Sequence, residues 1–372
     1  MIKDRAQKGM AARFCAAQGV VPYLEVVVRS SAALEDMPVD VTDVDVLGIE
    51  FGRRGLERRI LFDCKTGKMS AINRALWAAG LKSYVKASEA FLILKKDAPY
   101  SHRLLANELG VHVHSEANFE KYAVSVSPNY LFGATYLANM DLWDYIPEIS
   151  AKYGALSEIA SLSNTYAAME SNGARGLRSL LGIFIKSAQE LDPRKTEHLF
   201  VYANFLSAFS GFMTLAVVDL KNIFQFDMGQ DDFEKTLRYY IWGGKDSYMM
   251  RRNLRLSIER AGAGGANVEV ELPEWKRFVG IVRSFLDAPD ALAQIPYLSK
   301  EIAFRCIEEK TREEADRHLS DLFKLNNRAR QFLFLLNAYL VAAGAMPKEF
   351  KERYEEAVNA SVSSSSTNHP GS

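Results

Sequence analysis

What this chain lacks narrows its identity first. Cysteine is scarce: Cys15, Cys64 and Cys306 lie far apart, their number is odd, and no C-x-x-C pair occurs. A disulfide framework or a cysteine-based zinc site would need more, so a reducing, cytoplasmic setting is the expectation. Neither sign of charge is in excess, with 46 Lys plus Arg against 46 Asp plus Glu. That balance excludes an extended basic coat for non-specific DNA binding, although a local basic groove would still serve a nucleic-acid enzyme. The phosphate-cradling G-x-x-x-x-G-K-[ST] is missing, as are G-x-G-x-x-G, H-E-x-x-H and G-x-S-x-G. If nucleotide hydrolysis drives the system, another subunit is expected to supply it. Met1 to Arg13 mixes charged residues without an apolar core, so no signal peptide is expected.

Long apolar runs are also rare, with one exception. Leu199 to Val218 carries no charge, and at about 20 residues it reaches the length of a membrane span. Asn204, Ser207, Ser210 and Thr214 interrupt it, and neither flank is markedly basic. A buried central helix is the expected reading, with no membrane partner.

Periodicity divides the rest. Lys3 to Gln18 suits a helix that Gly19 stops, with Met10, Phe14 and Ala17 recurring at helical spacing. Strands are expected over Pro22–Val28, Thr42–Phe51 and Arg59–Lys65, the last two joined by a Gly- and Arg-rich turn. Ser70 suits the N-cap of a helix over Ala71–Lys86. The strand Ala90–Leu94, a helix over Leu104–Leu109 and the strand Val111–His114 follow. The order α-β-β-β-α-β-α-β predicts an α/β sheet covered on both faces.

Beyond Tyr136 the strand signals fade and helical patterns take over: Gly176–Leu191, Glu197–Ile223, Phe233–Ala261, Pro273–Leu286 and Glu301–Ala343. The expected organisation is an α/β N-terminal domain over residues 1–135 and a mainly α-helical C-terminal domain over 136–358. A disordered tail is expected over 359–372, where Ser361 to Ser372 is of low complexity.

The chemistry concentrates on two strands. Side chains alternate along a strand, so Asp63 and Lys65 share one face while Cys64 points to the other. Asp43 and Asp45 likewise share a face of the preceding strand, and pairing across the turn can bring Asp45 beside Asp63. Two adjacent carboxylates repel each other, and a hard divalent cation relieves that repulsion. A neighbouring ammonium could stabilise developing charge or position a water.

Thr42-Asp-Val-Asp-Val-Leu-Gly48 followed by Ile60-Leu-Phe-Asp-Cys-Lys-Thr-Gly-Lys68, a helix and an apolar strand resembles the PD-(D/E)XK (restriction endonuclease-like) nuclease superfamily. The resemblance covers about residues 1 to 116 and implies a restriction endonuclease-like α-β-β-β-α-β core. It implies a Mg2+- or Mn2+-dependent endonuclease, a hydrolase of phosphodiester bonds, with Asp45, Asp63 and Lys65 catalytic. Asp45, Asp63 and the backbone carbonyl of Cys64 would bind the metal. The implied partner is nucleic acid, DNA in the first instance, in restriction, phage defence or repair. One departure stands out: several branches carry a glutamate on the first helix, whereas Lys3 to Gln18 has only Asp4 as an acid. Glu25 could supply a third carboxylate, an ordinary strand-edge glutamate being the other reading. The missing glutamate keeps open a catalytically degenerate nucleic-acid-binding or assembly protein of the same fold.

Lys68 and Arg74, just after the site, are candidate phosphate contacts. Lys245 to Arg260 is the most basic helical stretch, with Arg251 and Arg255 on one face at i, i+4, a second candidate for nucleic-acid binding. The helical domain is expected to select substrate, or to dock a protein partner. His112 and His114 share a strand face, but half-exposed packing is the expected role. Trp77 and Tyr84 are expected in the core.

Overall fold

The protein is described by a computed structural model, covering all residues except 1, 31–38, 53–56, 67–69, 133–134, 226, 262–269, 311 and 364–372. A five-stranded mixed sheet carries the N-terminal part: β1 (Val21–Arg29), β2 (Asp40–Phe51), β3 (Glu57–Lys65), β4 (Glu89–Leu94) and β5 (Val111–Ser115). The spatial order is β1-β2-β3-β4-β5, with the first three antiparallel and the last two added in parallel. Parallel pairing needs crossovers. Helices α2 (Ala71–Tyr84) and α3 (Tyr100–Glu108) supply them, while α1 (Arg5–Ala17) precedes the sheet and α4 (Glu116–Val126) follows it. The expected α/β architecture with a helical remainder is present, and the expected element order holds through β5.

Helix α1 lies where it does because of small residues. It buries Gln7, Lys8, Ala11, Ala12, Phe14 and Cys15, a stripe at helical spacing. A Cβ at Gly48 of β2 would meet Cys15 Sγ at 2.8 Å and Val20 Cγ1 at 3.0 Å, so glycine lets helix and strand close up. Nearer the start of the same helix, Lys8 meets Asp45, with Nζ 2.9 Å from Oδ1.

The helical part is built around Thr196–Ile223, a 28-residue helix. By length and composition it could cross a membrane, yet 89% of its most apolar window is buried inside the molecule. Its buried hydroxyls find carbonyl acceptors. Ser207 donates to the carbonyl of Pro296 at 2.6 Å, Ser210 to that of Ser207 at 2.8 Å and Thr214 to that of Ser210 at 2.9 Å. The helix Ile295–Cys306 packs closely along it, with Ser299 donating to the Ala203 carbonyl at 2.9 Å.

Sheet and helices share one continuous hydrophobic core. A Cβ at Gly211 would lie 2.6 Å from the Phe51 ring, so the long helix is pressed onto β2. Arg59 of β3 is buried and ties the sheet to the helical part. Its guanidinium donates to the carbonyls of Ala168 at 3.0 Å and Glu170 at 3.2 Å, and it pairs with Glu57 at 2.8 Å.

Three boundaries differ from the sequence reading. Phe233–Ala261 divides into Gln230–Trp242 and Lys245–Arg260 at Gly243 and Gly244, whose φ values of 78° and 116° favour glycine. Glu301–Ala343 divides into parts of Ile295–Cys306, Glu313–Leu325 and Ala329–Ala343. The last helix, Lys348–Ser363, runs past residue 359, with Ser361 buried and the Val362 carbonyl accepting from Ser320 at 2.8 Å. Residues 359–363 are therefore ordered packing, because Val358 and Ser361 lie on a buried face of that helix.

Candidate active site

Strand register assembles the site. Val46 pairs with Phe62 and Leu47 with Leu61, so one step further the antiparallel register sets Asp45 opposite Asp63. Opposed residues present their side chains on the same face. Both carboxylates are buried, 4% and 2% exposed, on strands held by ladder bonds and apolar neighbours. Asp45 Oδ2 accepts the backbone N–H of Cys64 at 2.8 Å, so the side chain ties β2 to the end of β3.

The two carboxylates have opposite electrostatics. Burial pushes the Asp45 acid upward, but the Cys64 N–H and the Lys8 and Lys65 ammonium groups outweigh it and hold the pKa below the ordinary value. Lys8 Nζ lies 2.9 Å from Asp45 Oδ1, and Lys65 Nζ 3.4 Å from Oδ2. Burial also dominates at Asp63, where Arg74 only partly compensates and Asp45 adds repulsion, so its pKa is pushed up to about 6. Arg74 Nη2 lies 2.6 Å from Asp63 Oδ1. Asp63 Oδ2 is buried without a hydrogen-bond partner among the described residues.

Lys8 is the residue that sequence reasoning missed. It is 2% exposed and its ammonium bridges Asp45 and Glu25. Its partners raise its pKa although burial opposes them. The signal was present as a lysine on the buried stripe of α1, in line with Ala11, Ala12 and Cys15. Asp4, one turn earlier, accepts from the Thr66 N–H at 3.0 Å and from its hydroxyl at 2.6 Å. Helix α1 thus meets the end of β3 with an acid and the centre of β2 with a lysine.

Glu25 is more than a strand-edge residue. Leu24 pairs with Val46 and Val26 with Val44, so Glu25 falls opposite Asp45 with the register unbroken on either side. Its φ is 53°, the left-handed region that costs a non-glycine residue on the order of 1 kcal/mol. Carboxylate oxygens of Glu25, Asp43 and Asp45 all lie within 4.8 Å of one another. Asp43 is exposed but belongs to this trio; Asp63 does not. An all-oxygen donor set of this kind suits a hard cation such as Mg2+ or Mn2+. The orphaned Asp63 Oδ2 on the same face also fits a cation ligand.

The remaining candidates separate. Arg74 reaches the site, but its Nη2 is committed to Asp63, and its guanidinium also lies 4.7 Å from the Trp77 ring. Trp77 and Tyr84 are 37% and 48% exposed, not core residues. The inward face of α2 is lined instead by Ala71, Ala75, Ala78 and Leu81, small enough to seat the helix and leave the aromatics outside. Lys68 lies outside the described residues. His112 and His114 pack in an aromatic cluster, with the His114 ring 4.9 Å from that of Tyr122. Burial, then His112 and Arg103, push the His114 pKa down to about 4. Arg251 and Arg255 lie on the exposed helix Lys245–Arg260. Arg255 pairs with Glu259 at 2.9 Å, and Arg251 covers the Trp242 ring at 4.1 Å.

Scans against protein-family profiles, curated proteins and solved structures return no match for this chain.

Proposed function

We propose that this protein is a divalent-metal-dependent nuclease of the PD-(D/E)XK type, with Asp45, Asp63 and Lys65 at its centre. The observation that carries the reading is the pair of buried carboxylates on adjacent strands, Asp63 with an unpartnered oxygen and Asp45 beside the Lys65 ammonium. The α-β-β-β-α-β order and the matching motif residues support the same assignment. Asp45 and Asp63, with the Cys64 carbonyl, would hold Mg2+ or Mn2+, and Glu25 and Asp43 extend the acidic surface.

A cation bound there supplies charge to offset that of the scissile phosphate and acidity for the attacking water. The protein's own groups do the rest. Lys65, about one-third exposed, can turn from Asp45 to a phosphate oxygen and stabilise the negative charge that grows during in-line attack. Asp63 has its pKa pushed up to about 6 by burial and by Asp45, and a bound cation would favour the ionised carboxylate that ligates it. Arg74 fixes the Asp63 carboxylate, and the exposed Trp77 beside it offers a face on which a base can stack.

A second reading has its own observation. Lys8 places a positive charge where the acids would otherwise demand one, so the fold could be satisfied without metal and serve in nucleic-acid binding or assembly. The test is cleavage of DNA and RNA oligonucleotides with Mg2+ or Mn2+ by wild type and Asp63→Ala. Metal-dependent cleavage lost in the variant supports the nuclease. Equal cleavage by both removes the site assignment, and silence from both favours the binding protein.

A further inference from the structure

A second concentration of charge lies in the helical part, at the junction of three helices. The start of Gly173–Ser187, the end of Gln230–Trp242 and the Gly243–Gly244 turn into Lys245–Arg260 enclose a cavity of about 430 Å³. Arg175, Arg178, Tyr239 and Tyr240 line it, with Asn172 and Gly244 at its helix ends.

Two guanidinium groups line this cavity, and that of Arg251 lies close to Arg178. Arg178 and Arg251 both lie against the Trp242 ring, at 5.5 and 4.1 Å, and Arg178 is held in place by donating to the Ile241 carbonyl. Burial and then the charges of Arg251 and Arg175 lower the Arg178 pKa, as expected of like charges held together. Counter-charge is thin. Glu170 lies 3.5 Å from Arg175 through Oε2, while its Oε1 accepts the N–H groups of Ser171 and Asn172. Asp219 accepts from the Tyr240 hydroxyl at 2.7 Å.

The backbone adds to this potential. Two helices begin at the cavity, and Lys245–Arg260 begins at a glycine that has no side chain to cap its first N–H groups. The rings of Tyr239 and Tyr248 meet at 5.6 Å beside it. The helix that leaves the cavity buries none of its residues. It carries Lys245, Arg251, Arg252, Arg255 and Arg260 against Asp246 and Glu259.

We infer that this cavity binds the phosphodiester backbone of a nucleic-acid strand, one phosphate seated between Arg175 and Arg178 and the strand continuing along the exposed basic helix past Arg251. Planar guanidinium groups match phosphate oxygens in pairs, and aromatic rings among the arginines suit bases that follow a single strand. This extends the nucleic-acid reading above but rests on different residues, so the two can fail separately.

The experiment measures binding of a labelled single-stranded oligonucleotide to the full chain by fluorescence anisotropy, in EDTA so that cleavage plays no part, across a series of NaCl concentrations. The proteins are wild type, Arg175→Gln/Arg251→Gln and Arg178→Lys. Arg175 and Arg251 are exposed, so the double substitution leaves the core intact, which a circular dichroism melt verifies. The double variant is expected to bind about tenfold more weakly, with a salt slope shallower by roughly 1.4, as losing two single-strand phosphate contacts implies. Arg178→Lys is expected to weaken binding less, because the charge remains and the fork is lost. Binding in EDTA is read apart from cleavage, so this outcome stands whether or not the sheet site proves to be a nuclease. An unchanged affinity and salt slope in the double variant would overturn the inference. So would inorganic phosphate protecting wild type against heat while no oligonucleotide binds, which would make the cavity a site for free phosphate.

Discussion

Two lysines buried in this molecule, Lys8 and Lys300, show how little burial alone says about function. Lys8 on α1 is 2% exposed and sits between the carboxylates of Glu25 and Asp45, which raise its pKa. Lys300, on the helix Ile295–Cys306, is fully buried and has no hydrogen-bond acceptor among the described residues. Its ammonium lies 3.9 Å from the Tyr23 ring and 5.7 Å from that of Trp143, and burial pushes its pKa down to about 7. One lysine is a working part of an acidic cluster; the other is a charge tolerated between aromatic faces where sheet and helices meet. What separates them is the chemistry of the partners.

The largest expected effect breaks the first half of the comparison. Lys8→Met leaves Asp45 buried with only Lys65 and the Cys64 N–H to answer it, and should destabilise the fold by about 3 kcal/mol in metal-free buffer. Urea denaturation measures this, and millimolar Mg2+ should restore much of the loss if the acids accept a cation in place of the ammonium. A loss that Mg2+ does not touch would make Lys8 a structural counter-ion alone.

Lys300→Met sharpens the other half, with the opposite sign. The native state releases the Lys300 proton near pH 7, whereas the unfolded chain keeps it to about pH 10.4. Across that window the unfolded state binds more protons, so wild-type stability should rise with pH on this account. Methionine fills similar volume without the charge and should stabilise the protein by about 2 kcal/mol at pH 7. The difference between variant and wild type should shrink as pH rises toward 10. Melting curves at several pH values check this, and a destabilised Lys300→Met would show that the amine has a partner after all.

Asp63→Asn tests a smaller, related contrast within the site. Because the native Asp63 pKa lies near 6 and the unfolded one near 3.9, the native state holds its proton longer and loses relative stability as pH rises between those values. Asparagine keeps an acceptor for Arg74 without the charge, so stability at pH 7.5 should be equal or higher by about 1 kcal/mol. A clear loss of stability would mean that the carboxylate is a structural partner of Arg74. The smallest change is Gly48→Ala, whose added methyl meets Cys15 Sγ; it should cost about 1 kcal/mol, read by the same urea denaturation.

Local patterns account for what the sequence revealed. Alternation placed Asp45, Asp63 and Lys65 on common faces, and turn and cap residues located the strands and helices through β5 to within a few residues. The contributions of Lys8 and Glu25 were harder to see, because each depends on a non-local fit. Lys8 reaches Asp45 through the way α1 packs against the sheet, and Glu25 faces the acids through a left-handed backbone angle at a residue that gives no glycine signal. Arg74 was legible as a basic neighbour but not as the partner of Asp63, since its reach depends on how α2 seats on alanines. In the helical part, amphipathic periodicity ran through Gly243–Gly244, so the arginine cavity formed by that break was not visible from pattern alone.

The most direct test of the central claim is an electron paramagnetic resonance titration of Mn2+ into wild type, Asp63→Asn and Lys8→Met. The account predicts saturable Mn2+ binding by wild type, at least tenfold weaker binding by Asp63→Asn, and tighter binding by Lys8→Met, where no ammonium competes for the acids. Mn2+ that stays free in the presence of wild type, or that binds equally well without the Asp63 carboxylate, would contradict it.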